Sequence, residues 1–267
     1  MKTILVTGGN RGIGLEICRQ LDRLGHTVIL CSRVLEKGKE AAKLLSKNVI
    51  VKQLDVTNEE SILKLYEFVK INYGQLDVLI NNAGISEMHA VKINTRIQNT
   101  KSFLAKFETL RRIKKIAEVI LCKTSLIPQK RGAQNTTLIE VKYIMETNFY
   151  GPWRMIQIFT PLLQKNKNGR IINMSSGMGE LKKLTGYYPG YSLSKSSLNA
   201  LTIMFSRELK DKCIKVNAMC PGWVKTEKEE LNAPRNVSQG ADTAVWLATE
   251  SNIPTGKFFR DRMEINW

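Results

Sequence analysis

The chain has 267 residues, 43% of them hydrophobic, enough for one large α/β domain with a substantial core. Only two histidines (His26, His89) and five scattered cysteines argue against a histidine triad or a metal centre, and no apolar run reaches the roughly 18 residues that span a bilayer. The net charge of +17 is concentrated: residues 89–135 carry eleven lysines and arginines against two glutamates, a surface that attracts anions.

Thr3–Thr7 reads as a buried strand. It starts so close to Met1 that no cleavable signal peptide is expected; with an odd set of unmatched cysteines this points to reduced thiols and a cytoplasmic protein. Gly12 to Leu24 places Ile13, Ile17 and Leu21, with Leu24 nearby, at helical spacing, and Gly25 closes that helix. Thr27–Cys31 is a second strand, followed by a charged helix over Glu36–Leu45. Val49–Leu54 is a third strand, after which Thr57 or Asn58 caps a helix running to about Asn72. Asp77–Asn81, Arg170–Met174 and Lys215–Met219 complete six strands. Apolar strands separated by helices predict a single doubly wound parallel sheet, Rossmann-like, with helices on both faces. A basic insertion interrupts it at about residues 86–140. Within it, Phe103, Phe107, Leu110, Ile113, Ala117 and Ile120 recur as one amphipathic helix, roughly Thr100 to Leu121, and Ser125–Thr137 reads as loop.

Two patterns carry chemistry. After the first strand comes Thr7-Gly8-Gly9-Asn10-Arg11-Gly12-Ile13-Gly14. Gly8 permits a tight turn, Gly12 lets backbone approach a pyrophosphate, and Gly14 permits close packing of helix on strand. The spacing is Gly-x-x-x-Gly-x-Gly, and a structural turn is its plain alternative. Far downstream, Tyr191 and Lys195 stand four residues apart, which puts a phenol and an ammonium on one face of a helix. Hydride transfer to a carbonyl leaves an alkoxide that needs a proton. A phenol of pKa about 10 is a poor proton donor and acceptor near neutrality unless a cation such as Lys195 stabilises its phenolate.

Thr7–Gly14, Asp55-Val56, Asn81-Asn82-Ala83-Gly84, Asn148, Ser176, Tyr191 with Lys195, and Pro221-Gly222 occur in the order seen in the short-chain dehydrogenase/reductase family. The chain resembles its carbonyl-reductase branch over residues 1–84 and 141–267. The resemblance implies a nicotinamide dinucleotide held at Gly8, Asn10, Arg11, Gly12, Ile13 and Gly14, with Asp55 on the adenine amino group and Val56 offering a backbone contact. Asp55-Val56-Thr57-Asn58 reads equally as a strand end and helix cap. Asn82, Ala83 and Gly84 would pack beside the cofactor, and Val224 and Thr226 would contact the carboxamide. Tyr191 would be the proton donor, Lys195 would also bind ribose hydroxyls, and Asn148 would hold a water linking Lys195 to solvent. Ser175 and Ser176 compete for the substrate oxygen; the resemblance selects Ser176. Trp223, Met178 and Tyr187 either line a substrate pocket or serve packing.

Charge selects the cofactor. The second strand ends Cys31-Ser32-Arg33 without an acid, and Arg11 lies in the glycine turn; two guanidinium groups suit a 2′-phosphate, hence NADP(H). The expectation is an NADPH-dependent reductase of a small-molecule ketone or aldehyde, without metal, membrane or nucleic-acid partner. Two rivals stand beside it: an oxoacyl reductase acting on a carrier-protein-bound substrate, and a non-catalytic nucleotide or nucleic-acid module using the basic insertion. That insertion is a surface elaboration, a lid or a dock for an anionic partner. It falls near the helices many relatives use to pair subunits, so a monomer is expected.

Overall fold

The computed structural model describes residues 1–87, 132–226 and 232–267. One eight-stranded sheet runs in the order β3-β2-β1-β4-β5-β6-β7-β8. Its strands are β1 (Thr3–Val6), β2 (Thr27–Ser32), β3 (Val49–Gln53), β4 (Val78–Asn81), β5 (Gly169–Met174), β6 (Ile214–Met219), β7 (Phe258–Arg260) and β8 (Met263–Ile265). All neighbours pair in parallel except β7 and β8, which form an antiparallel hairpin. The six strands read from sequence are all present. The closing hairpin adds two that were not expected, the last of them antiparallel.

The described helices are α1 (Gly12–Arg23), α2 (Leu35–Ala42), α3 (Glu59–Tyr73), α4 (Leu138–Met145), α5 (Gly151–Lys165), α6 (Pro189–Glu208) and α7 (Val237–Thr249). A single wide π turn, Glu146–Tyr150, joins α4 to α5. Strand residues alternate between two cores, as a pleated sheet buried on both faces requires. Leu5, Ile29, Leu79, Ile171 and Val216 pack with α3, α5 and α6. Ile4, Val6, Val28, Leu30, Val78 and Ile80 pack with α1 and α7 on the other face. Each such side chain contributes about 1.5–3 kcal/mol by leaving water.

Local signals act as the sequence indicates in most places. The Asn58 side chain accepts the Ser61 N–H at 2.9 Å and caps α3, and Gly74 ends that helix at φ +72°. In α1, however, Cys18 is buried beside Ile17 and Leu21, while Leu24 lies one residue past the helix end and is 57% exposed where Gly25 turns the chain away. The helix expected to reach Leu45 stops at Ala42. The amphipathic pattern from Thr100 to Leu121 lies outside the described residues. Its flanks are described: the Ala133 N–H donates to the Gly186 carbonyl at 2.9 Å, Gly132 pairs with Tyr187, and Thr137 caps α4 in a reciprocal box with Glu140. No helix among the described residues is long and apolar enough to cross a membrane.

The sheet order reverses between β1 and β4. At such a switch point the carboxyl ends of adjacent strands splay their following turns apart and leave a crevice. The Thr7–Gly14 turn leaves β1 there and the Asn82–Gly84 turn leaves β4.

Candidate active site

The two turns at the crevice are stitched together. The Thr7 hydroxyl accepts the N–H groups of Asn82 and Ala83, both at 2.9 Å. The Asn82 side-chain amide donates back to the carbonyls of Thr7 (2.9 Å) and Gly8 (3.1 Å). Gly8 and Gly12 adopt φ +64° and +54°, in the left-handed region that side chains disfavour. A Cβ on Gly14 would overlap the Asn82 amide nitrogen and the Gly8 carbonyl oxygen, so only glycine fits there. Arg11 precedes α1 without a capping side chain, and the first turn of α1 holds no acid. Its N–H groups and dipole are thus available to an anion, and the cradle fits a dinucleotide pyrophosphate. Asn10 and Ile13 belong to this same turn.

The turn is tied to the second strand by the Gly9 N–H, which donates to the Cys31 carbonyl at 2.8 Å. Arg11 and Arg33 each follow two residues beyond that bond, and both are exposed. Asp55, at the end of β3, acts locally. One of its carboxylate oxygens accepts the Thr57 N–H (2.9 Å) and hydroxyl (2.7 Å), holding the turn into α3. Val56 is buried against Gly151. The strand-end reading of this motif therefore describes a real structural role. Thr226 lies over the glycine turn, since a Cβ on Gly12 would stand 3.5 Å from its side chain. Val224 is buried against Gly240 of α7.

Tyr191 and Lys195 lie in the first two turns of α6. The Lys195 ammonium stands 5.5 Å from the Tyr191 ring centroid and donates to the Met174 carbonyl at 2.7 Å. Burial pulls the lysine down from 10.5 to about 8, with the nearby Cys220 acting in the opposite direction. Gly84 places the β4 turn beside them: its Cβ position lies 3.7 Å from that ammonium and 3.4 Å from Asn148 Oδ1.

Asn148 is fully buried within the π turn. Its Oδ1 accepts the Ile85 N–H (2.8 Å), while its Nδ2 donates to the Ile85 carbonyl (2.9 Å) and to Ser194 Oγ (3.0 Å). Ser194 in turn donates to the Tyr191 carbonyl at 2.7 Å. Ser175 is buried and donates to Asn199 Oδ1 at 2.5 Å. Ser176 is only half-buried, its hydroxyl accepting the Met178 N–H at 3.2 Å. The geometry commits Ser175 to packing and leaves Ser176 nearer solvent. Around this end, Trp223 and Tyr187 are 57% and 45% exposed, and Met178 is half-buried.

The fold thus gathers Gly84, Asn148 and Lys195, with Tyr191 beside them, and joins the β4 turn to the glycine turn. Arg33 and Asp55 belong to the ends of β2 and β3, two strands or more away from β4. Sequence reasoning missed Thr7, Ser194 and Glu87. Ser194 sits inside the Tyr191–Lys195 segment and was open to notice; the Glu87 carboxylate bonds to residues over a hundred positions away and had no local signal.

The chain matches the short chain dehydrogenase family over residues 2–109 and 119–236, with a gap that falls inside the basic segment. It is 32% identical to (−)-isopiperitenone reductase of Mentha piperita, over 97% of this chain and 96% of that protein. It is 27% identical to carbonyl reductase [NADPH] 1 of Sus scrofa, over 100% of this chain and 94% of that one. The structure of salutaridine reductase from Papaver somniferum superposes with a TM-score of 0.72 at 27% identity, covering 98% of this chain and all of the other.

Proposed function

The chain belongs to the short chain dehydrogenase family of oxidoreductases, and from that premise we propose that it reduces a small-molecule ketone or aldehyde to an alcohol with NADPH. The observation that carries this reading is the convergence of Lys195, Tyr191, Asn148 and Gly84 at the crevice that also holds the glycine turn. The nicotinamide, when bound, supplies the hydride. Tyr191 gives its phenolic proton to the substrate oxygen as that oxygen gains charge, and the Lys195 ammonium stabilises the phenolate left behind. Ser176 donates a hydrogen bond to the same oxygen and holds it in reach of the phenol. With one Lys195 donor on Met174, the others are free for ribose hydroxyls. Asn148 fixes Ile85, and its Oδ1 keeps a second lone pair for the water of a proton relay.

Selection of NADPH over NADH rests on Arg11 and Arg33, supported by the cofactor in the name of the pig relative. Gly8, Gly12, Gly14, Asn10 and Ile13 would hold the pyrophosphate, Asp55 and Val56 the adenine, and Asn82, Ala83, Val224 and Thr226 the nicotinamide end. The whole chain acts as one catalytic domain carrying an insertion. A cytosolic setting accords with the buried thiols of Cys18, Cys31 and Cys220.

The test follows NADPH absorbance against a panel of free ketones and aldehydes, with NADH alongside and Tyr191→Phe as control. Turnover with NADPH that falls by about 10²–10⁴ in the phenylalanine variant is expected. Unimpaired turnover in that variant would remove Tyr191 from its role, and faster reaction with NADH would remove the arginine argument.

A further inference from the structure

Helix α6 begins without a cap of its own. Tyr188, the residue before it, sits at φ +55° and makes no capping side-chain hydrogen bond, and Pro189 opens the helix. The next two N–H groups, those of Gly190 and Tyr191, are the ones a helix start normally satisfies with a neighbouring Ser, Thr, Asp or Asn. Here a carboxylate from elsewhere does so. Glu87, three residues beyond the Asn81–Gly84 turn, is 5% exposed, and its Oε1 accepts the Tyr191 N–H at 2.8 Å, the carboxylate also taking the Gly190 N–H. A Cβ on Gly190 would lie 3.3 Å from that oxygen and 2.7 Å from Ile144 Cδ1, so glycine permits the approach.

We infer that Glu87 is a positioning residue for Tyr191: its carboxylate ties the β4 turn to the first turn of α6, fixes where the phenol stands, and sets how readily it gives up its proton. The inference rests on the proposed role of Tyr191 as proton donor. An anion at a helix start is favoured by the dipole. The same anion, bonded to the tyrosine's own backbone, disfavours phenolate and so opposes Lys195. Glu87 and Lys195 thus act on one hydroxyl from opposite signs. Among the described residues, the acid facing Glu87 from the packed elements is Glu140 of α4, and on α6 the titratable residue bonded to it, through its backbone, is Tyr191. Burial foremost, with Glu140 adding to it, pushes the Glu87 carboxyl upward, while the N–H groups of Tyr191 and Gly190 hold it down.

The test compares wild type, Glu87→Gln and Glu87→Ala. Glutamine keeps an acceptor for the helix start and removes the charge; alanine removes both. For Glu87→Gln the expected result is an unchanged Tm and NADPH affinity, with the alkaline limb of kcat/KM for reduction moved about half a unit toward acid. For Glu87→Ala the expected result is the same movement with kcat lowered about tenfold. The phenol is also titrated directly by tyrosinate absorbance in cofactor-free protein, with Tyr191→Phe as the blank. That titration keeps the two failures apart: absence of carbonyl turnover sinks the reductase reading, whereas an unmoved phenol sinks the role of Glu87. A limb and a phenol titration that coincide with wild type in both variants overturn it.

Discussion

Replacing Lys195 by methionine tests the electrostatic heart of the site without any substrate. The lysine is 5% exposed and burial lowers it from 10.5 in the unfolded chain to about 8 in the folded protein. Each pH unit between those values is worth about 1.4 kcal/mol, so carrying the charge into the fold costs about 3 kcal/mol. Because the folded value lies below the unfolded one, the unfolded chain binds the proton more tightly between them. The penalty is therefore full below pH 8 and is relieved as pH climbs to 10.5. Methionine fills similar volume and carries no charge, but it forfeits the bond to the Met174 carbonyl, about 1 kcal/mol. The variant is expected to be more stable than wild type by about 2 kcal/mol at about pH 7, and the gap should close and reverse by pH 10.5. Urea unfolding of the cofactor-free proteins at several pH values gives both curves, and their difference cancels every other titrating group. A difference that stays flat from about pH 7 to 10.5 would refute the desolvated lysine. Such a result would also mean that the site is wetter than its packing indicates, weakening the case for a tuned phenol.

Three further outcomes follow from the geometry. Asn148→Ala leaves the Ile85 N–H and carbonyl without their partner and should lower unfolding free energy by about 2–4 kcal/mol in urea titrations, with reductase activity lost beyond the stability effect. Gly14→Ala drives a methyl group into the Asn82 amide and the Gly8 carbonyl; a loss of about 1–3 kcal/mol and weaker NADPH binding by fluorescence titration are expected. Arg33→Ser should lower the preference for NADPH over NADH by about 10–100-fold in kcat/KM, the size of one charge-assisted hydrogen bond, while leaving Tm near wild type because the side chain is exposed.

The parts of the molecule legible in the sequence are those whose cause is local. Strands β1 to β6 announce themselves as apolar runs between helical periods, and the Gly8–Gly14 turn and the Tyr191–Lys195 spacing are visible because the partners lie a few residues apart. The hairpin β7–β8 escaped because each strand has three residues and its turn, Asp261-Arg262, takes φ +54° and +60° with an arginine where a glycine usually follows the Asp. Gly25 was legible as the close of α1 and takes φ +77°, which turns Leu24 outward as the last residue before it. Asp55 was legible as two roles at once, and its bonds to Thr57 give the structural one. The choice between Ser175 and Ser176 was open from the residues themselves, since only the fold decides which hydroxyl meets Asn199. Glu87 and the Asn148–Ser194 bridge depend on contacts between distant segments, which no window of sequence contains.

The π turn at Glu146–Tyr150 means that the helical stretch from Leu138 to Lys165 holds one residue more than regular winding needs. Removing a single residue there would bring the stretch to regular winding, at the cost of placing Pro152, which has no N–H to give, inside the helix. It would also rotate everything upstream by about 100° relative to α5. The Asn148 amide would swing off Ile85, and Ile144 and Glu140 would leave the start of α6. The surplus residue thus works as a fixed angular offset: it lets one helix seal the core along α5 and still present a buried amide sideways, a combination that evenly wound turns could not achieve.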